Sequence, residues 1–316
     1  MLDPQARAFL DHLATLDQPP LETMPLADAR ALFEETFTRL GGAGVAVGDV
    51  RAIVADGPCG PIPVRLYTPE AASEPLPLIV FYHGGGWVNG SLDSYDAVCR
   101  LLTRESGCKL ASVDYRRAPE HPAPEPFEDA YAALEWLSAH AAELGADPAR
   151  IAVAGDSAGG ALAAGVTLKA RDAGGPPIAH QLLVYPAVAD DAETDSIRAY
   201  GAGHFLTRER MEFYYTCYIP RHEIAELPYV IALKSATLRG LPPATIVLAA
   251  CDPLYDQGVA YAERLRADGV AVDLRVYPGM IHAFFSFIAI FEQGRAAVSG
   301  AGKALGAALA SRPVER

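Results

Sequence analysis

The sequence predicts an α/β fold in which helices flank a mostly parallel central sheet, and three observations carry that prediction. Short, continuously apolar runs recur at Leu78–Tyr82, Leu110–Val113, Ile151–Ala154, Gln181–Tyr185 and Thr245–Ala250. Runs of this kind suit strands that are covered on both faces. Segments with a helical period stand between most of them, and strands alternating with helices imply a parallel sheet with right-handed crossovers. A chain of 316 residues, 51% of them hydrophobic, has the material to bury such a core.

Taken in order, residues 1 to about 45 predict helices that precede the sheet. Leu10, Leu13 and Leu16 fall on a helical spacing, Pro19 and Pro20 interrupt it, and Gly41-Gly42 closes the segment. Val64–Tyr67 alternates and opens the first strand. The helical periods are Phe127–Leu144, ended by Gly145; the Ala-rich Ser157–Asp172, ended by Gly174-Gly175; and Tyr255–Asp268, ended by Gly269. Val272–Tyr277 supplies the last strand, whose edge is available for pairing two copies as a homodimer. Over about residues 187 to 225 the rhythm breaks. Acidic Asp190, Asp191, Glu193 and Asp195 lead into Met211-Glu212-Phe213-Tyr214-Tyr215, the composition of an inserted helical cap. The predicted division is therefore cap helices over 1–45 and a sheet-bearing domain over 46–316 that carries the insertion.

The net charge of −13 argues against a general binder of phosphate backbones, because nucleic acid is drawn to clustered Lys and Arg, and none cluster here. A neutral small molecule is the natural partner. Cys59, Cys99, Cys108, Cys217 and Cys251 are odd in number and form no CxxC pair, so neither a disulfide framework nor a zinc site is indicated. Asp3 precedes any apolar run, and the most apolar stretch, Ala283–Phe291, is too short to span a bilayer. A cytoplasmic protein without a membrane span is expected.

Gly155-Asp156-Ser157-Ala158-Gly159 directly follows the run Ile151–Ala154 and precedes a helical stretch, which is the setting of a nucleophile elbow. Glycines on either side of Ser157 permit the cramped turn that lifts a hydroxyl above a sheet. A GxSxG alone arises by chance in roughly one chain in ten of this Gly and Ser content. His83-Gly84-Gly85-Gly86-Trp87, after Leu78–Tyr82, is far more specific, with a chance frequency below about one in a hundred. Three glycines let a loop aim backbone N–H groups at one spot, as acyl transfer requires where a carbonyl oxygen becomes negative.

A serine hydroxyl is a weak nucleophile at neutral pH; it needs a base, and the base needs a carboxylate to fix its tautomer. Asp252 directly follows Thr245–Ala250, and His282 follows Val272–Tyr277 by a few residues. Both stand at strand ends after the serine, acid before histidine, in the order that elbow hydrolases use. Asp256 is the alternative acid, though it falls inside the next helical period. His83 is expected to shape the glycine loop and His121, among prolines, to mark a turn. Tyr115, Arg116 and Glu120 are expected to brace a loop at a strand end.

The sequence resembles the bacterial hormone-sensitive lipase family of esterases, in its GDSAG branch. The resemblance is carried by Tyr82–Trp87, Asp114–Pro122, Gly155–Gly160, Gly240–Ala244, Asp252–Leu254 and Gly279–Phe284, in that order, and it runs from about residue 45 to the end. It implies the α/β-hydrolase fold and an oxyanion hole formed by the amides of Gly85, Gly86 and Ala158. It further implies an acyl pocket covered by the two helical segments, with Trp87, Phe213 and Tyr214 as candidate lining. Two positions depart from the family pattern: Ala161 stands where Asn is usual, and Arg117 where Leu is usual.

The function so implied is a carboxylesterase for short to medium acyl chains, acting through an acyl-enzyme on Ser157 with His282 as base and Asp252 orienting it. No metal or organic cofactor is implied. Since His282 accepts a proton only when neutral, activity is expected to fall below the ordinary histidine pKa, about 6.5. The alternatives are a ligand-binding protein on the same fold, which the presence of all three triad members disfavours, and an acyltransferase or amidase.

Overall fold

Two helices, α1 (Pro4–Thr15) and α2 (Leu26–Gly41), come before the sheet in the computed structural model, which describes residues 1–70, 73–191 and 193–310. Asp3 caps α1 by accepting the amide of Gln5 at 2.8 Å, and Pro4 occupies the first helical position, where no N–H is needed. There follow β1 (Asp49–Gly57), β2 (Gly60–Thr68), β3 (Leu76–Tyr82), α3 (Asp96–Ser106), β4 (Lys109–Val113), α4 (Glu125–Ala139), β5 (Ala146–Asp156), α5 (Ala158–Ala173) and β6 (His180–Val184). Next come three helices outside the sheet, α6 (Asp195–Tyr200), α7 (Arg208–Tyr218) and the single turn α8 (His222–Ala225). The chain then closes its core with β7 (Ala244–Cys251), α9 (Tyr255–Ala267), β8 (Val272–Ile281) and α10 (Glu292–Ala310).

The strands form one sheet in the order β1-β2-β4-β3-β5-β6-β7-β8. Only β2 runs against its neighbours; every pair from β4 to β8 is parallel. Strands β3, β4 and β6 are buried along their whole length, as their apolar runs require. Helices α3 and α10 pack on each other and on the sheet, and α4 and α5 do likewise. Strands β1 and β8 are the two edges of the sheet.

Several elements differ from expectation. β1 precedes the strand expected to be first; of its nine residues only Ala55 is buried, so no apolar run announces it. Its ladder with β2, closed by a two-residue turn between Gly57 and Gly60, holds it in place. α10 was not expected either, because its Ala and Gly content carries little periodic contrast. Those small residues serve close packing: a Cβ on Gly302 would lie 2.7 Å from that of Glu105, and one on Gly306 would lie 2.5 Å from the Ser106 carbonyl oxygen. Helix α4 stops at Ala139 rather than Leu144, where the chain turns into β5. Among the described residues, no helix is long and apolar enough to cross a membrane.

Candidate active site

The carboxyl ends of β3, β5, β7 and β8 meet at one rim of the sheet, where open parallel sheets hold their ligands. Parallel register sets Tyr82 beside Gly155 and Asp156 beside Val184, so the glycine loop after β3 lies next to the turn after β5. Ser157 stands at that turn with φ 53° and ψ −118°, a conformation that costs a non-glycine residue on the order of 1–3 kcal/mol. Its backbone is held on both sides: its N–H donates to the Val184 carbonyl at 2.9 Å, and its C=O accepts from Ala161 at 3.0 Å and Ala187 at 3.2 Å. The flanking glycines are required by space. A Cβ on Gly159 would sit 2.0 Å from the Tyr82 carbonyl oxygen, and one on Gly155 would sit 2.3 Å from that of Gly159.

The structure brings Ser157, His282 and Asp252 together. Nε2 of His282 is 3.0 Å from Oγ of Ser157, and its Nδ1 is 2.7 Å from Oδ2 of Asp252. Asp252 is fully buried and also accepts the Leu254 amide at 2.8 Å through Oδ1, which fixes the carboxylate at the end of β7. Asp256 is engaged elsewhere, accepting the Ser196 amide at 2.7 Å. The loop carrying His282 is tied to the start of the chain, since the Asp3 amide donates to the Gly279 carbonyl at 3.0 Å and Nε2 of Gln293 to Oδ2 of Asp3 at 2.8 Å.

In the glycine loop, Gly85 and Gly86 adopt φ 111° and 64°, and a Cβ on Gly86 would fall 2.2 Å from the Tyr214 ring. Gly84 donates its amide to Oδ1 of Asp156 at 2.8 Å, which joins the loop to the serine turn. The Tyr95 hydroxyl donates to Oδ2 of the same carboxylate at 3.0 Å. Burial nonetheless pushes the Asp156 carboxyl up to about 6. His83 stacks on Tyr115 with ring centroids 4.4 Å apart, and burial holds its pKa down at about 3, so it is neutral over the working range. The Tyr115 hydroxyl donates to the His83 carbonyl at 2.7 Å. Ala158 opens α5, and N–H groups of a first helical turn have no partner within the helix.

Arg30 of α2 reaches the same loop, donating to the Val88 and Ala118 carbonyls at 2.9 and 3.0 Å while pairing both oxygens of Glu120 at 2.7 Å. Arg116 pairs instead with Asp129 and Glu125, and His121 with Glu125 at 2.8 Å. Arg117 donates to the Gly90 carbonyl, and Ala161 is buried in α5.

Above Ser157 and His282 lies a cavity of about 480 Å³ whose wall also includes Gly85, Gly86, Ala158 and Trp87. Residues 13–37 and 205–215 supply most of the rest, including Leu21, Phe33, Phe205, Met211 and Tyr214. Trp87 is nearly buried and stacks on Tyr218 of α7, with centroids 4.2 Å apart and planes 3° from parallel. Phe213 does not line the cavity, contrary to expectation. Residues 211, 214 and 215 of α7 share the inward face at helical spacing, and Phe213, turned away from it, lies half-buried against the Tyr214 ring. The sequence reading also missed the buried tie between Asp156, Gly84 and Tyr95, for which only the Asp within the GDSAG motif offered a signal.

A family profile described as the alpha/beta hydrolase fold matches residues 79–286. The chain belongs to the α/β-hydrolase family. This hydrolase is 44% identical over 249 residues to the carboxylesterase NlhH of Mycobacterium tuberculosis, spanning 78% of the chain and 77% of that relative. It is 35% identical over 284 residues to the ethyl acetate hydrolase of Pseudomonas putida, spanning 87% of each. The solved structure of an ester hydrolase from the metagenome of Lake Arreo matches it with a TM-score of 0.95 at 38% identity, covering 98% of the chain and 100% of its counterpart. These likenesses place the hydrolase in the hormone-sensitive lipase family.

Proposed function

We propose that this hydrolase is a carboxylesterase that cleaves esters of short to medium acyl chains. The observation that carries the proposal is the relay of Ser157, His282 and buried Asp252 at 3.0 and 2.7 Å, opening into a cavity of about 480 Å³. Cavities of roughly 300–1,000 Å³ suit small molecules.

Ser157 attacks the ester carbonyl while His282 takes its proton, and Asp252 holds the imidazole in the tautomer that accepts at Nε2. The amides of Gly85, Gly86 and Ala158 receive the developing oxyanion. His282 returns the proton to the departing alcohol, then takes one from the water that attacks the acyl-enzyme and passes it to Oγ of Ser157 as the acid leaves. Residues 1–45 and about 187–225 act as the cap that shapes the substrate cavity. The solvent-facing edge of β8 supports pairing of two copies as a homodimer.

Peptide mapping after fluorophosphonate treatment is expected to find the adduct on Ser157, and Ser157→Ala is expected to lose at least a factor of about 1,000 in kcat/KM on p-nitrophenyl butyrate. An adduct on any other residue, or faster turnover of palmitate than butyrate, overturns the reading. Product analysis with added alcohol distinguishes hydrolysis from acyl transfer.

A further inference from the structure

Much of the wall of the cavity above Ser157 is apolar, with Leu13, Leu21, Phe33, Phe37, Leu206 and Met211 among its residues. Two charged residues interrupt it, one from each helical segment outside the sheet. Glu22, in the single turn Leu21–Thr23 before α2, and Arg210, in the first turn of α7, both line the cavity. Nε of Arg210 donates to Oε2 of Glu22 at 3.1 Å, and the two side chains are only 19% and 12% exposed. Charges drawn this far out of water are costly unless further hydrogen bonds serve them.

The pair is only partly served by the protein. Nη1 of Arg210 donates to the Phe205 carbonyl at 3.2 Å, whereas Nη2 has no hydrogen-bond partner among the described residues. A guanidinium therefore stands in the wall with donors to spare. It is also fixed in place. Phe205 holds φ 73°, a strained setting for a residue with a side chain, and its ring lies 5.9 Å from the guanidinium carbon. Carboxylate, carbonyl and ring thus orient Arg210 before any guest arrives. Because Glu22 already offsets the charge of Arg210, a guest carboxylate gains little there, while an uncharged oxygen can accept from Nη2 without displacing Glu22.

Building on the esterase reading, we infer that Arg210 is a specificity-determining residue whose Nη2 donates to a second, uncharged acceptor oxygen of the substrate. The preferred class is then small esters with a distal carbonyl, such as diesters, over plain alkyl esters and over esters with a free carboxylate. Either substituent of the reacting carbonyl can carry that oxygen, so two series test the inference. Dimethyl glutarate, adipate and suberate are compared with methyl alkanoates of equal length, and diol diacetates with alkyl acetates of equal length, as kcat/KM per ester group. A hydrogen bond from a charged donor is expected to favour the second carbonyl about tenfold in at least one series. Arg210→Met, unbranched but without donors, is expected to erase that advantage. Glu22→Gln keeps every donor of Arg210 and unmasks its charge. It is expected to raise kcat/KM for ionised monomethyl adipate relative to dimethyl adipate at least about tenfold. If Arg210 serves only to hold the two segments together, neither ratio moves.

The subsite is also read without turnover, by calorimetric titration of the same diesters into Ser157→Ala with and without Arg210→Met. Binding about tenfold weaker in the double variant supports the inference. Equal kcat/KM for diesters and plain esters at every length in both series overturns it. So does an advantage that survives in folded Arg210→Met, an unmoved ratio in Glu22→Gln, or equal binding in the two titrations. Should Arg210→Met not fold, the ratio in Glu22→Gln decides. Absence of p-nitrophenyl butyrate hydrolysis by the unsubstituted protein overturns the esterase reading alone, since the titration still reports on Arg210.

Discussion

At Gly86, backbone and side-chain constraints coincide. Its φ of 64° favours glycine, and any Cβ would enter the Tyr214 ring at 2.2 Å. Gly86→Ala is therefore expected to displace one oxyanion donor and lower kcat by a factor of about 100 or more while Ser157 still takes a fluorophosphonate slowly; pre-steady-state kinetics measure both. Asp156 leads to a different prediction. Its carboxyl has a pKa of about 6 in the folded chain against an ordinary value of 3.8. A raised carboxyl contributes stability that is full below the ordinary value and is lost as pH rises through about 6. Asp156→Asn lacks that loss, so the Tm of the variant relative to the parent is expected to rise by several degrees from about pH 4 to about pH 7. Scanning calorimetry across that range tests it; a difference independent of pH excludes the burial penalty. Ser157, Asp252 and His282 were legible in the sequence because strand ends announce them. The ties from Asp156 to Gly84 and Tyr95 were not, since residues 72 and 61 positions apart in sequence meet only once the strands pair.

Among the elements, the helical segment before β1 and the one between β6 and β7 touch each other. Glu22, before α2, pairs with Arg210 of α7 at 3.1 Å, and both residues line the cavity above Ser157. Phe9 of α1 packs on Phe205, Phe287 and Phe291 with centroids 5.6–5.8 Å apart. A double-mutant cycle of Glu22→Gln and Arg210→Gln, followed by urea unfolding, is expected to give a coupling of about 1 kcal/mol, the upper part of the range for a partly exposed pair. No coupling would mean that the aromatic cluster alone holds the two segments together. The composition of 187–225 revealed helices over this region, yet it did not reveal which face of α7 turns inward, so Phe213 was expected in the wall and Met211 was not. The hidden strand β1 has a similar cause: a strand held by its ladder with one neighbour needs no apolar run.

For the whole molecule, the parallel core was legible because its strands are buried on both faces and its helices end at glycines. Cavities were not, because their walls draw on residues as far apart in sequence as Leu21, Phe33, Trp87 and Phe205. The exposed edge at β8 carries Val276 outward, and light scattering is expected to find a dimer that Val276→Lys converts to a monomer. A single-chain mass for the parent overturns that pairing.

Tryptophan occurs only twice in the chain. Trp136 lies on α4 beside His140, whereas Trp87 is sandwiched face to face with Tyr218 beneath the roof of the serine chamber. With Trp136 replaced by Phe, indole emission reports on the Trp87–Tyr218 contact alone. Stopped-flow fluorescence can thus test whether that contact changes before product appears, using an optical gauge already built into the fold.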